Sequence, residues 1–413
     1  MKVLKFLHLK VFCLYAFVLS MTDVGVPNTI FSAVLMVSLL GAAFSLITLG
    51  SKSFFKVDSI DCIMILYLLF ATFSTIINFQ NYNTHTLNHI LSKYFVFFLF
   101  YFTVKNTFLF LSKSVKAKED VYRWLLAGAV LSLVFCITEF IFKNYFSVEF
   151  DFFFPRLNPI VYDPTLGGDS NIVRARGFAE ESGHYALFIE LIVPILGAHL
   201  WQNKKFKSFS ALSILSLIAI TLTFSTISQL ALFPAIITAI LIHNKLHIDS
   251  KFIITFGLLI LLTLLSLLVI PGSFESLVYK ITENGFNGRL DNIEPIFALI
   301  EKSDYWQLIF GFGSGSFYNI ENLESGIFSL PFLIFVEMGF VGLFLLFIFV
   351  TLCIQKVRCI SDLNVRYAFA LSFSFALFHY WAIANYYYPW IWFLIAMISF
   401  EKLENKIYRK TVI

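Results

Sequence analysis

Charged residues are scarce in this chain of 413 residues. Asp, Glu, Lys and Arg make up 14% of it, whereas roughly 25% is usual for a soluble domain. Hydrophobic residues make up 59% of the chain, and the mean hydropathy is +0.81. A soluble fold of this size has too little interior to bury so much apolar surface. The composition therefore excludes a soluble enzyme and predicts an integral membrane protein.

Cysteines and nucleotide-binding motifs are also sparse. The cysteines are Cys13, Cys62, Cys136, Cys353 and Cys359. None lies in 143–183 or 272–330, so neither a disulfide framework nor a cysteine-based metal site is predicted there. The chain has no P-loop and no Gly-x-Gly-x-x-Gly fingerprint, so we predict neither a nucleotide-binding domain nor a nucleic-acid partner.

Long apolar runs dominate the chain. A helix that crosses a bilayer needs about 20 mostly apolar residues. We predict spans at residues 11–22, 29–49, 60–78, 90–111, 122–142, 184–200, 208–224, 229–243, 252–271, 331–352, 367–383 and 388–400. The predicted fold class is an all-α, polytopic membrane bundle of about twelve helices, in which residues 1–413 form a single transmembrane domain. The first run resembles a signal peptide, but no small-residue cleavage site follows it, so we predict that this helix is retained.

Basic residues predict the topology of the chain. Lys and Arg are concentrated at both ends and in every second connection, whereas the short connections around residues 78–88 and 225 contain none. Short loops rich in Lys and Arg lie in the cytoplasm. We therefore predict that both termini are cytoplasmic and that 143–183 and 272–330 are two long loops on the outer face.

The first long loop contains candidate residues for binding an anion. In an extended segment, Arg174 and Arg176 project to the same face, roughly 6–7 Å apart. Guanidinium groups at this spacing suit the two phosphates of a pyrophosphate, and Gly177 allows the backbone to turn tightly. The alternative is that the arginines pair with lipid headgroups or with Glu180 and Glu181.

Acid–base candidates follow directly in the sequence. Glu181 and His184 share a face if a helix begins at this point, and a carboxylate beside an imidazole is a candidate proton acceptor. The alternative for His184 is an anchor at the membrane interface.

The second long loop contains an amphipathic segment and a glycine-rich run. The segment follows Asn287-Gly288-Arg289 and is predicted to form a short helix over 296–300. The run, Phe310 to Phe317, favours a tight turn, with a backbone nest for an anion as the alternative. It lacks the lysine and the βαβ context of a nucleotide-binding loop.

Ionisable and aromatic residues in the later spans allow two interpretations. Glu190, His199, Glu337 and His379 lie in predicted spans, where such groups suggest function, for example a proton relay, or serve as interhelical hydrogen-bond partners. The run 386–390 is typical of an interfacial aromatic belt. Its alternative role is the stacking of sugars, for which Tyr387 is the candidate.

The order of these features resembles the O-antigen polymerase and O-antigen ligase superfamily of bacterial envelope enzymes. The resemblance rests on Arg-x-x-Gly-Phe at 174–178, Asn-Gly-Arg at 287–289, the glycine-rich run at 309–317 and Glu-Met-Gly-Phe-Val-Gly-Leu at 337–343. It covers most of the chain and implies a GT-C-like bundle in the bacterial inner membrane.

The resemblance implies an inverting glycosyltransferase that faces the periplasm and uses sugars carried on undecaprenyl pyrophosphate, with no metal and no cofactor. Arg174 and Arg289 would hold the pyrophosphate, with Arg176 as a further candidate. The implied partners are the undecaprenyl-pyrophosphate-linked oligosaccharide and membrane lipids, together with a chain-length regulator and a flippase.

One departure from the family pattern favours polymerase over ligase. Ligases place a His-Asn pair after the glycine-rich turn, whereas this chain has Glu324-Ser325-Gly326 there and no histidine in 248–378. The base is left open among Glu181, His184, Asp291 and Glu324. The alternative functions are an O-antigen ligase and a lipid-linked oligosaccharide flippase or other transporter.

Overall fold

The computed structural model describes residues 2–27, 31–49, 56–111, 114–148, 155–157, 172–243, 287–319, 327–398 and 401. Across these residues the regular structure is helical, and the extended pairing is limited to isolated bridges, Val24 with Arg156 and Gly25 with Ser32. The predicted all-helical fold is confirmed for this part of the chain.

The helices are numbered here in chain order. They are α1 (Lys2–Val18), α2 (Ala33–Leu49), α3 (Ser59–Ile77), α4 (Thr86–Leu111), α5 (Val115–Tyr145), α6 (Ser182–Gln202), α7 (Phe206–Leu222), α8 (Thr226–His243), α9 (Asn287–Lys302), α10 (Tyr305–Phe310), α11 (Leu330–Arg358), α12 (Leu363–His379) and α13 (Pro389–Ile398). The predicted amphipathic helix at 296–300 is part of the longer α9.

Six helices of the described residues are long and apolar enough to cross a bilayer, namely α3, α4, α5, α6, α8 and α11. The helices α2, α7 and α13 are apolar but shorter. Every predicted span overlaps a helix except the ninth, 252–271, which lies outside the described residues. The chain is therefore a helical membrane protein, and the total of twelve spans stays a prediction.

The first helix is an integral part of the bundle. The indole nitrogen of the buried Trp390 donates a hydrogen bond of 2.7 Å to the carbonyl of Leu19, just after α1. Within α1, the imidazole of His8 contacts the hydroxyls of Thr107 and Ser45 at 3.3 and 3.1 Å. These buried polar contacts join α1 to α2, α4 and α13, as expected for polar side chains between packed membrane helices.

Alternate connections lie at one end of the bundle. The amide of Asp23 donates to the carbonyl of Phe178 at 3.0 Å, and the amide of Ala175 donates to that of Leu222 at 3.1 Å. The carboxylate of Glu180 reaches the segment between α12 and α13 through Tyr388. The connections α1–α2, α5–α6, α7–α8 and α12–α13 therefore meet.

Lysines and carboxylates pair near the other ends of these helices. Lys105, at the end of α4, is buried against Asp61, and Lys356, at the end of α11, contacts Asp58 at 2.5 Å. Lys118, at the start of α5, pairs with Glu401 at 3.0 Å. These pairs join α3 to α4 and α11, and α5 to the residue Glu401 that follows α13.

The glycine-rich run packs against α11 at a kink in this helix. At Gly339 the backbone leaves the helical conformation, with φ +62° and ψ −158°. The carbonyls of Val336 and Glu337 accept hydrogen bonds from the amides of Phe312 and Gly313 at 2.8 and 3.1 Å. Backbone therefore packs directly on backbone, and Gly339 allows this because a Cβ at this position would collide with the backbone of the neighbouring segment.

Replacing Gly339 with Ala should destabilise the protein by about 2 kcal/mol or more, because a left-handed backbone conformation costs a non-glycine residue about 1–3 kcal/mol. The new Cβ would also lie 2.4 Å from the carbonyl oxygen of Ile309. Thermal unfolding in detergent measures the change. Gly41→Ala is the control, since a Cβ there meets nothing nearer than 3.9 Å and alanine favours a helix by up to about 1 kcal/mol. Equal melting temperatures for the two variants would contradict the expectation.

Candidate functional site

A buried carboxylate organises the segment that contains Arg174, Arg176 and Gly177. Glu139 lies in the last two turns of α5 and is fully buried. Its Oε2 accepts the backbone amides of Arg176 and Gly177 at 3.0 and 2.8 Å, and its Oε1 accepts from the guanidinium of Arg156 at 3.0 Å and from Lys143 at 3.1 Å. A buried charge needs such compensation. The loop is therefore attached to the bundle core at this point.

Arg156 strengthens the same attachment. Its guanidinium donates to the carbonyls of Gly177 and Ala179 at 2.9 and 3.1 Å, and it contacts the carboxylate of Asp23 at 3.5 Å. Arg156 therefore cross-links the α1–α2 connection, the first loop and α5.

Gly177 makes the tight turn that the sequence suggested. Its φ is +54°, and a Cβ added there would lie 2.7 Å from the ring of the buried Tyr185. A larger residue at position 177 would therefore require the backbone or the Tyr185 ring to move. The turn directs the chain from the Glu139 contact towards the start of α6.

The two arginines have different surroundings. Arg174 is half-buried, and its guanidinium donates to the carbonyls of Thr223 and Phe224 at 3.0 and 3.5 Å. Arg176 is buried, and its guanidinium donates to the carbonyl of Glu180 at 3.3 Å. Arg174 is thus the more accessible of the two arginines, whereas Arg176 supports the loop from within.

Desolvation lowers the pKa of Arg174 to about 10, and the negative charge of Glu181 opposes this change. The guanidinium is therefore still positive at neutral pH. Desolvation raises the pKa of Glu181 although its side chain reaches the surface, and Glu180 raises it further while Arg174 lowers it. Arg174, Glu180 and Glu181 thus form one electrostatically coupled group.

His184 begins α6 in a hydrogen-bond chain that the sequence did not indicate. Its Nδ1 lies 2.9 Å from the hydroxyl of Tyr388, and its Nε2 lies 3.0 Å from the amide nitrogen of Asn385. The Tyr388 hydroxyl also donates to Oε2 of Glu180 at 2.9 Å. The predicted pairing of His184 with Glu181 is wrong, because the turn at the start of α6 brings Glu180 into this chain instead.

The aromatic run after α12 lies largely inside the protein. Tyr388 and Trp390 are buried, with relative exposures of 6% and 0%, and their rings stack with centroids 4.6 Å apart. The interpretation of the run as an interfacial belt is therefore wrong for these two residues. Tyr387 is different, because 44% of it is exposed beside Tyr388, at a centroid distance of 5.2 Å. Its position as a candidate stacking surface is retained.

The glycine-rich run packs around a second buried carboxylate. Glu337, in α11, accepts the backbone amide of Gly315 at 2.8 Å and pairs with Lys93 and His89 at 2.7 and 3.1 Å. Lys93 also donates to the hydroxyl of Ser314 at 3.1 Å. The run is thus a tight turn in which the anion at the Gly315 amide is a side chain of the protein.

The remaining candidates of the second loop lie partly outside the described residues. Arg289 and Asp291 belong to α9, but their side chains are not among those that the structure describes, and Glu324 falls in the undescribed range 320–326. Their predicted roles stay predictions.

The ionisable residues in the later spans contact one another. The Nδ1 of His379, in α12, lies 2.7 Å from the carboxylate of Glu190, in α6, and the hydroxyl of Ser228, in α8, donates to the same carboxylate. All three residues are buried. His199 instead stacks on Tyr122, with centroids 4.0 Å apart. Glu190 and His379 therefore join α6, α8 and α12 through hydrogen bonds.

An apolar groove lies beside these clusters. Its volume is about 590 Å³, and its walls come mainly from α3, α11, α12 and α13. Lys93, Tyr67 and Tyr386 are polar residues along walls that are otherwise almost entirely apolar. The groove is thus an apolar surface with the buried Lys93–Glu337 pair at its wall.

Several residues of these clusters were missed by the sequence analysis. Glu139 and Lys93 lie within apolar spans, and the rarity of charge in such positions was the signal that marked them. Asn385 and Tyr388 carried no such signal, because their partners lie about 200 positions away in the sequence.

Replacing Arg156 with Met should destabilise the protein by about 3 kcal/mol, because removal of one partner leaves a buried charge without its compensation. Arg123→Met is the matched control, since its side chain is 76% exposed and lies 3.9 Å from Asp120. It should change the stability by less than about 0.5 kcal/mol. Thermal unfolding in detergent compares the two, and equal effects would show that Arg156 is not a structural cross-link.

A comparison with models of known protein families finds no family that matches this chain, and a comparison with curated proteins finds no significant match.

Proposed function

We propose that the protein is an O-antigen polymerase, or a polymerase of a related surface polysaccharide, in the bacterial inner membrane. It joins undecaprenyl-pyrophosphate-linked oligosaccharide repeat units at the periplasmic face, with both termini in the cytoplasm. The observation that carries the proposal is the cluster of Arg174, Glu180, Glu181, Tyr387 and His184, which lies where alternate connections of the bundle meet. We call these residues, with Tyr388 and Asn385, the outer cluster.

The chemistry of the outer cluster suits the transfer of a sugar from a pyrophosphate. Arg174 remains positive at neutral pH, and a fixed positive charge stabilises a developing anion by several kcal/mol in a site with little water. Its role is to hold the pyrophosphate and stabilise it as it leaves. In the same proposal Arg289 contacts the donor from the second loop, and the exposed ring of Tyr387 stacks on a sugar.

The apolar groove supports a lipid-linked donor. A polyprenyl chain is apolar and flexible, and a groove of about 590 Å³ with apolar walls provides the surface that such a chain buries. Lys93 lies on the groove wall with its ammonium paired to Glu337, so its charge is compensated and the groove stays apolar. The occupant proposed for this groove is the carrier lipid of the donor.

A transporter of lipid-linked oligosaccharides is the second candidate function. The observation in its favour is the buried contact between Glu190 and His379, because ionisable residues inside membrane bundles often belong to proton pathways. A ligase that transfers finished chains is the third candidate, and it differs from the polymerase in its acceptor.

Deletion of the gene distinguishes these functions, with the surface polysaccharides separated on a gel. For a polymerase, long chains disappear while a lipid core with a single repeat unit persists. For a ligase, single units are also lost from the core and long chains accumulate on the carrier lipid. For a transporter, lipid-linked single units accumulate on the cytoplasmic side of the membrane. Unchanged long chains in the deletion strain would overturn the proposal.

Replacing Arg174 with Ala should lower polymer formation by about 100-fold or more, because loss of one group that stabilises a developing anion costs about 3–4 kcal/mol in the transition state. Arg174→Lys should retain part of the activity, since the charge remains while the bidentate geometry is lost. Chain amount and length on the gel are the readouts, at equal protein levels in the membrane. Arg123→Ala is the control and should match the wild type. Wild-type chains from Arg174→Ala would remove Arg174 from the site.

A further inference from the structure

A single carboxylate of the outer cluster is held by a directed hydrogen-bond chain. The Tyr388 hydroxyl donates to Oε2 of Glu180 at 2.9 Å, so its oxygen is left to accept from Nδ1–H of His184 at 2.9 Å. The Nε2 of His184 then accepts from the amide of Asn385 at 3.0 Å. This assignment of protons satisfies every group with one tautomer of the imidazole.

The direction of the chain determines which group receives a proton. In this arrangement His184 donates from one ring nitrogen and accepts at the other, so it has no lone pair left for a substrate. Asn385 and Tyr388 act as donors. Glu180 accepts from Tyr388 in this chain, and an ionised carboxylate accepts hydrogen bonds only. Within this chain, Glu180 is therefore the group whose carboxylate is able to accept a proton.

Glu181 differs from Glu180 in its contacts. It reaches the surface, and its charge interacts with that of Arg174, which is the partner proposed for the pyrophosphate. Glu180 is half-buried, and its orientation is set by the Tyr388 hydroxyl and by Arg176 on its backbone carbonyl at 3.3 Å. A base works best when its position is set before the reaction.

We propose that Glu180 is the general base of the sugar transfer, and that Tyr388 and His184 are positioning residues that orient its carboxylate. The inference rests on the proposed function, because it assigns a role within that reaction. Its ligand is a hydroxyl of the acceptor oligosaccharide, bound beside Tyr387.

The step balances without a further reagent. The acceptor hydroxyl gives its proton to the Glu180 carboxylate while its oxygen forms a bond to the anomeric carbon of the donor sugar. The bond between that carbon and the pyrophosphate oxygen breaks, and its electron pair leaves with the pyrophosphate next to Arg174. Glu180 then releases the proton to water, and no group is oxidised or reduced.

The test uses full-length variants in membranes of the deletion strain, with lipid-linked repeat units extracted from that strain as the substrate. Glu180→Gln keeps the shape of the side chain but removes the base, and should lower kcat by about 100-fold or more. Glu119→Gln is the control, because this exposed carboxylate lies near the start of α5, away from the outer cluster, and the variant should stay within a few-fold of the wild type. Tyr388→Phe should lower kcat by about tenfold with KM unchanged, since one orienting hydrogen bond is lost.

Chemical rescue separates a base from a structural role. Glu180→Ala leaves space for a small carboxylate, so added sodium formate should restore part of its activity, whereas Glu181→Ala should not respond. A shift of the melting temperature on addition of farnesyl pyrophosphate, a probe with both a prenyl chain and a pyrophosphate, checks that each variant is folded and binds. If Glu180→Gln does not fold, the formate response of Glu180→Ala and the kcat of Tyr388→Phe test the role of Glu180 instead.

The outcomes separate this inference from the proposed function. If wild-type membranes do not extend the extracted lipid-linked units, the proposed function fails. If they do extend them and Glu180→Gln keeps the wild-type kcat, only the role of Glu180 fails. Loss of activity in Glu181→Gln together with a formate response of Glu181→Ala would assign the base to Glu181 and overturn the proposal.

Discussion

The carboxylate of Glu139 is the contact on which the arrangement of the outer cluster depends. It lies inside the membrane bundle, yet it accepts two backbone amides of the first loop and the charged groups of Arg156 and Lys143. A buried carboxylate is costly unless it is fully compensated. The hydrogen bonds from these donors to Glu139 therefore fix the position of the loop. The positions of Arg174 on one side of this contact and Glu180 on the other follow from it.

Glu337 plays the same physical role for the second loop. Each of these buried carboxylates belongs to a long apolar helix; Glu139 accepts two backbone amides of a glycine-containing turn, and Glu337 accepts one. A backbone amide adds no side-chain bulk, so the loop can approach the helix closely, and the glycines allow that approach. Buried charges of the bundle therefore fix the positions of these two loop segments, and the low polarity of the surroundings strengthens each hydrogen bond.

The sequence analysis was most reliable where a pattern is local. Apolar runs predicted helices that the structure confirms in the described residues. Gly177 makes the tight turn that the sequence suggested. It failed for the Glu181–His184 pair, because a spacing of three predicts a shared face only if both residues are helical. Glu181 instead lies just before α6 in an extended conformation, with φ −129° and ψ 156°. It also failed for the aromatic run, because composition does not distinguish a belt at the interface from rings packed in a core.

Composition and the distribution of charge by themselves determined the class of the molecule, a helical membrane protein. The reason is that the free energy of transferring apolar and charged side chains into lipid depends on residue type and on runs of about 20 residues, both of which are local. Which side chains meet was decided only by the tertiary structure. Glu180 and Tyr388 are 208 positions apart, and their contact exists because the packing of α6, α12 and α13 brings two unrelated segments to one end of the bundle.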